Sequence, residues 1–308
     1  MQIFKTMKSF LIKIAIFFFI LVVIDRLVGY TFSYLSQHSD GEYAGRPNYI
    51  ANSVQDDILI MGSSRAAHHY NPKVLSDSLG LSCYNCGMDG QGIVLFYGWW
   101  QMIKERYCPK IVVYDFSNGF DLLAGENNHK FLGNLKSYYE RSNIRDIFEA
   151  VDKNEKYKML SQMYRYNSKP HKILQDYLKP SKVKASNGFK PLKGMLDTMR
   201  IKKDDRKSLE INKPICDSLK IEFLEKLIEE TNGLKLIFAV SPIWYGMEEN
   251  ELSVIRELCK KHHIPFLDFS NDSKYVHNNE YFKDGTHLNA RGADEFSRDF
   301  VRKLKPYL

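Results

Sequence analysis

Ile58-Leu59-Ile60-Met61-Gly62-Ser63-Ser64-Arg65 is an apolar run that breaks into a glycine and two serines before an arginine. A short continuous run of this kind, bounded by turn residues, is how a strand buried on both faces of a parallel sheet reads. Two more runs follow it: Leu81 to Tyr84, and Ile111-Val112-Val113-Tyr114 behind Pro109. Between them Pro72 to Leu79 reads as a helix. Gly92 to Tyr107 reads as another, with Ile93, Phe96, Trp100 and Ile103 on one side. Strand, helix, strand, helix, strand is the alternation of a doubly wound sheet.

The alternation stops at about residue 121 and resumes near 215. Asp217 to Glu230 then reads as a helix, Leu234 to Val240 as a fourth strand and Glu251 to His262 as a helix. Pro265 to Phe269 reads as a fifth strand, and Ala290 to Leu304 as a closing helix with Asn289 as its N-cap. The expected fold is α/β, a flavodoxin-like doubly wound parallel sheet of five strands. A mostly helical insertion interrupts it at about 121–215. With 44% hydrophobic residues in 308, the chain can build a sizeable core. Its net charge of +7 is uneven. Asp121 to Glu210 holds 20 Lys+Arg against 12 Asp+Glu, whereas the remainder holds 24 against 25. The basic character therefore belongs to the insertion. It reads as a solvated helical cap, or as a surface for anionic glycans or lipid headgroups. No nucleic-acid motif accompanies the charge.

Phe10 to Ile24 is apolar except for Lys13, and Lys5 and Lys8 precede it. Spanning a bilayer takes about 20 mostly apolar residues, with Asp25 and Arg26 then near the far interface. Basic residues ahead of the run put the N-terminus in the cytoplasm and the rest on the extracytoplasmic side, periplasmic or extracellular. No small-residue cleavage site follows, so residues 1–32 read as a retained membrane anchor and 33–308 as the domain it carries. Ser33 to Asp56 is polar and reads as a linker. The five cysteines are odd in number, and the Cys83-x-x-Cys86 spacing has no second pair. Neither a disulfide nor a zinc site is expected.

The chemistry lies where strands end, because an open parallel sheet collects its functional groups at the carboxyl edge. The first strand ends at Gly62-Ser63-Ser64, with a serine at the tip of a turn. The second ends at Asn85-Cys86-Gly87-Met88-Asp89-Gly90, and the third at Asp115-Phe116-Ser117-Asn118. Beyond the fifth comes Asp284-Gly285-Thr286-His287, a compact acid–base unit in which the carboxylate can orient the imidazole. Acyl transfer through serine needs a nucleophile, a base, an orienting acid and oxyanion donors, and each has a candidate here. A metal-dependent hydrolase using His68, His69, Asp89 and His287 is the competing arrangement, though no metal-spacing motif supports it. Asp89 and Asp115 are otherwise polar residues near the site without an assigned role. Trp99 and Trp100 read as helix packing.

These blocks together resemble the SGNH (GDSL-like) hydrolase superfamily over about 56–120 and 217–305. The resemblance makes Ser64 the nucleophile, with Ser63 the alternative, where the family's Gly-Asp-Ser is Gly62-Ser63-Ser64. It makes the backbone N–H of Gly90 an oxyanion donor, with Gly87 as second choice. Asn118 aligns with the family's asparagine, although the flanking Gly and Asp of Gly-x-Asn-Asp are absent. Asp284 and His287 match the Asp-x-x-His block. The implied activity is that of a serine esterase or O-acyltransferase on acyl, foremost acetyl, esters of cell-envelope glycans or lipids, without a cofactor. Its triad would be Ser64, His287 and Asp284, and Ser64, Gly90 and Asn118 would bind the oxyanion. The Gly-Ser-Ser variant is similar to membrane-anchored DltD-like proteins, which implies a membrane-bound acyltransferase as partner. A catalytically silent protein on the same fold, binding a glycan or such a partner, is the alternative.

Overall fold

A computed structural model describes residues 2–125, 127–179, 186–197 and 215–308. Parts of the expected insertion, at 126, 180–185 and 198–214, lie outside the described residues.

The chain opens with α1 (Gln2–Gln37) and α2 (Gly45–Asn52). Then follow β1 (Ile58–Gly62), α3 (Ser64–His69), α4 (Pro72–Leu79), β2 (Cys83–Asn85), α5 (Ile93–Lys104) and β3 (Ile111–Asp115). Short helices come next: α6 (Asn118–Asp121), α7 (Asn127–Phe131), α8 (Ser142–Val151), α9 (Glu155–Lys158) and α10 (Pro170–Leu178). The alternation resumes with α11 (Ser218–Glu230), β4 (Lys235–Val240), α12 (Ser253–Lys261), β5 (Phe266–Asp268) and α13 (Ala290–Leu304). The strands form one all-parallel sheet in the order β2-β1-β3-β4-β5. That is the flavodoxin-like order, which reverses direction between β1 and β3 and opens a crevice there.

Side-chain alternation divides the core into two layers. Leu59, Met61, Val112, Tyr114, Phe238 and Val240 face α5, α11 and α12. Ile58, Ile60, Ile111, Val113, Ile237 and Ala239 face α4 and α13. All five β1 residues are buried, which explains why the strand reads as unbroken apolar sequence rather than alternating. Cys83 sits in one layer and Cys86 in the other, and all five cysteines are unpaired.

The segment read as a linker is structured. α1 continues to Gln37, and Ile50, Ala51 and Val54 are buried in the core. The reason is Arg46, a fully buried guanidinium on α2. Its Nη2 donates to the carbonyls of Asn85 (2.8 Å), Gly87 (2.6 Å) and Gly188 (3.1 Å), and its Nη1 pairs with Glu42 at 2.9 Å. Polar composition suggested solvent exposure, but the polar groups are satisfied inside the protein. Among the described residues, Ile3–Gln37 is one helix long and apolar enough to cross a membrane, and none of its most apolar window is buried.

Candidate active site

β1 and β3 pair in register from Ile58↔Ile111 to Gly62↔Asp115, so their carboxyl ends lie side by side. Gly62 takes a φ of +135°, and a Cβ there would come within 2.5 Å of the Asp115 carbonyl. Only glycine lets the chain leave β1 this close to β3. Ser63 then stands at the N-cap position of α3 without a side-chain capping bond, and Ser64 is the first helical residue, where a backbone N–H has no intrahelical acceptor.

His287 arrives from the opposite end of the chain on a closed turn. Phe282 bridges Leu288, and the Lys283 N–H donates to the His287 carbonyl at 2.8 Å. Inside the turn, Asp284 Oδ1 accepts the N–H groups of Thr286 (2.9 Å) and His287 (2.8 Å). The same carboxylate meets His287 Nδ1 at 3.0 Å from both oxygens. Across 223 residues of sequence, His287 Nε2 lies 2.8 Å from Ser64 Oγ. Serine, histidine and aspartate thus form one hydrogen-bonded line. Burial alone would raise the Asp284 carboxyl. The hydrogen bond and charge of His287, with the two N–H donors, outweigh it and hold the group at about 2. Asp284 therefore stays ionised wherever His287 works as a base. Ser63 is buried and its hydroxyl has no partner among the described residues, so the imidazole addresses Ser64.

Gly90 has a left-handed φ of +63°, and its N–H has no partner among the described residues. Gly87 differs, because its N–H is taken by Asn85 Oδ1 at 2.8 Å and its Cα packs on the Ala66–Ala67 backbone. Asn118 opens α6 just after β3, and its Oδ1 is buried without a partner among the described residues. Asp121 shapes this loop by accepting the Ser117 N–H and the Tyr114 hydroxyl, both at 2.7 Å. Burial pushes Asp121 up to about 7 against those hydrogen bonds and the charge of Lys220.

A buried polar network stands behind the line, and its full extent was not legible in the sequence. The Leu288 N–H donates to His69 Nε2 at 3.0 Å, so Nδ1 carries the ring proton and donates to Ser241 Oγ at 2.9 Å. Ser241 Oγ donates to Asp115, which also accepts the Ser241 N–H and the Tyr70 hydroxyl. Arg65 lies 3.8 Å from Asp115 and donates to the carbonyl of Phe116. Burial holds His69 far below the usual imidazole range, with the charges of His287, Arg65 and His68 adding to it. Burial also raises Asp115, with Arg65 opposing it. Asp115, read as a polar group near the site, is the buried hub of this network. Spacing could not show this, because Ser241 follows the end of β4 and the other partners come from α3 and its C-cap Tyr70, the end of β3 and the turn after β5.

His68 faces the Lys190 carbonyl through Nδ1 (2.6 Å) and Asp89 through Nε2 (3.1 Å), and its ring lies edge-on to His287 at 5.4 Å. Lys190 reaches Asp89 at 2.7 Å. The histidines named for a metal-dependent alternative thus each have both ring nitrogens engaged by protein groups, and none of them belongs to a metal-capable group among the described residues. The group of metal-capable side chains found among the described residues is His129, Asp152 and Glu155 in the insertion, where Lys158 already pairs with both carboxylates.

No protein-family model matches the chain, and no curated protein matches it. Among solved structures it is similar to a protein described as lipolytic and of the G-D-S-L family from Desulfitobacterium hafniense DCB-2. The identity is 14% and the TM-score 0.38, over 80% of this chain and 97% of that one. It is similar to a protein described as an acylhydrolase from Bacteroides fragilis NCTC 9343, at 14% identity and a TM-score of 0.37, over 83% and 94%. An acetyl xylan esterase from the rumen bacterium Butyrivibrio proteoclasticus is similar at 8% identity and a TM-score of 0.37, over 81% of this chain and 63% of that one. Fold and site together define a doubly wound α/β domain with serine, histidine and aspartate in line at the carboxyl edge of its sheet.

Proposed function

We propose that the chain is a serine esterase or O-acyltransferase of the SGNH type, anchored in a membrane by α1. It acts on acyl esters of envelope glycans or lipids, acetyl foremost. The observation that carries this is the line from Ser64 Oγ through His287 to Asp284, at 2.8 Å and 3.0 Å. In this mechanism His287 Nε2 takes the Ser64 proton as Oγ attacks the ester carbonyl, and ionised Asp284 stabilises the imidazolium that forms. The N–H groups of Ser64 and Gly90 and the Asn118 side-chain amide receive the oxyanion. His287 then gives its proton to the departing alkoxide, leaving acyl-Ser64. Water or a sugar hydroxyl, activated by the same imidazole, takes the acyl group. Hydrolase and transferase differ only in that last acceptor.

The anchoring rests on the exposed apolar window of α1, with Lys5 and Lys8 ahead of it placing the N-terminus in the cytoplasm. The membrane-bound acyltransferase partner rests on the sequence resemblance alone. The test is fluorophosphonate labelling of the full chain in detergent, alongside Ser64→Ala and His287→Ala. Labelling that disappears in both variants is the expected result. An unlabelled but folded wild type refutes an autonomous serine enzyme and favours the silent binding protein.

A further inference from the structure

Asp25 is the first carboxylate after the apolar run of α1, and it is not solvated as an interfacial charge would be. Its carboxylate accepts the Ser161 hydroxyl, the Gln162 N–H (2.9 Å) and the Met163 N–H (3.1 Å). One turn further, Gly29 meets Gln162 so closely that a Cβ would lie 2.2 Å from that side chain. Phe32 then stacks on Tyr166 at 6.3 Å. At 1.5 Å rise per residue, these contacts follow one side of α1 for about 10 Å beyond the run. With α1 anchored as proposed, the turn at 161–163 would sit at the level where α1 leaves the hydrocarbon.

Beside that turn the insertion exposes Tyr157 (64%), Leu160 (68%) and Met163 (43%). Isolated exposed apolar residues are ordinary on a protein surface. These flank the turn that holds Asp25, and Leu21 to Ile24, the residues of α1 just before Asp25, are exposed as well. Lys153 and Lys156 next to them are exposed and make no ion pair among the described residues, and the Lys156 ammonium lies 5.2 Å from the Tyr157 ring. The nearby carboxylates Asp152 and Glu155 both pair with Lys158, and with Lys153 and Lys156 the stretch 152–158 carries three lysines against two carboxylates. Leucine, methionine and tyrosine rimmed by unpaired lysines is the composition of a surface that seats in the headgroup layer.

We propose that residues 157–163 form a second membrane contact, docked on the anionic headgroup surface of the bilayer that α1 crosses. The proposal rests on the anchoring of α1. A chain held at two points cannot pivot freely about Asp25, so the Ser64 edge is presented at a set height to membrane-borne esters. The test uses the full chain in liposomes containing anionic phospholipid, with Cys108 and Cys216 replaced by serine. A bimane label is placed at Leu160→Cys, at Leu21→Cys or at Glu257→Cys, and read against phospholipids brominated near the headgroup. Loss of fluorescence at 160 and at 21, with none at 257, is the expected result. A second variant, Lys153→Glu with Lys156→Glu, weakens the quenching at 160 and leaves that at 21. Quenching at 21 without quenching at 160 overturns the second contact and keeps the anchor. Absence of quenching at both overturns the anchor and the contact together.

Discussion

Replacing Asp284 by asparagine tests the orienting role of the carboxylate with almost no change of shape. Asp284 Oδ1 accepts two backbone N–H groups, at 2.9 and 2.8 Å, and an amide must keep its carbonyl oxygen there. The NH2 then takes the place of Oδ2, 3.0 Å from His287 Nδ1. It donates to Nδ1, so the imidazole proton moves to Nε2, which faces Ser64 Oγ. Nε2 then has no lone pair for the serine proton, and the imidazolium also loses its counter-charge. The same change in a fully buried triad costs about 10⁴ in kcat. Asp284 is 53% exposed on its side chain, so water screens part of the effect. The expected fall in kcat/KM for Asp284→Asn is therefore about 10³, or roughly 4 kcal/mol. KM should hardly change, because Asp284 stands behind His287. The assay is initial-rate hydrolysis of p-nitrophenyl acetate by the full chain in detergent, with circular dichroism as the control for folding. A folded variant that keeps more than a tenth of wild-type kcat/KM refutes the assignment of Asp284 as the orienting acid.

His69→Leu leaves the Leu288 N–H without its acceptor, removes the donor to the Ser241 hydroxyl and loosens the turn that carries His287. Since a shift of about 1 Å can cost 10² in rate, kcat should fall by roughly that factor at unchanged KM in the same assay. Arg46→Met strips three buried carbonyls and Glu42 of their cation, and should destabilise the protein by about 3–5 kcal/mol, read from urea unfolding. Burial raises Asp121 to about 7, well above the ordinary aspartate value of about 4. The folded state thus binds more protons than the unfolded one between those values, so wild-type stability should fall as pH rises through that window and level off above it. Asp121→Asn should remove that fall, as measured by urea midpoints at pH 4 to 8.

Local pattern in the sequence was enough for the sheet. β1 and β3 are buried throughout and β4 in all but its first residue, so they read as apolar runs, and Ala290–Leu304 has the bounds its periodicity implied, with Asn289 capping it through the Gly292 N–H. Candidate site groups were legible because each stands at a strand end or in a compact turn. What spacing could not show is which groups meet. Ser64 and His287 are 223 residues apart, and Gly87 and Gly90 share one loop, yet only the hydrogen bond from Gly87 to Asn85 separates their roles. Ser33 to Asp56 was misread for the same reason. Its polar residues, Arg46 foremost, are satisfied by the carbonyls of Asn85 at the end of β2, Gly87 just beyond it and Gly188. Sequence by itself determined the sheet, its alternation and the positions of the candidate groups, because those follow from burial and turn chemistry along the chain. Tertiary structure alone decided the line through His287, the network around Asp115 and the grip of residues 161–163 on Asp25. Each of these joins partners from distant elements, and a hydrogen bond between them leaves no periodic trace in either segment.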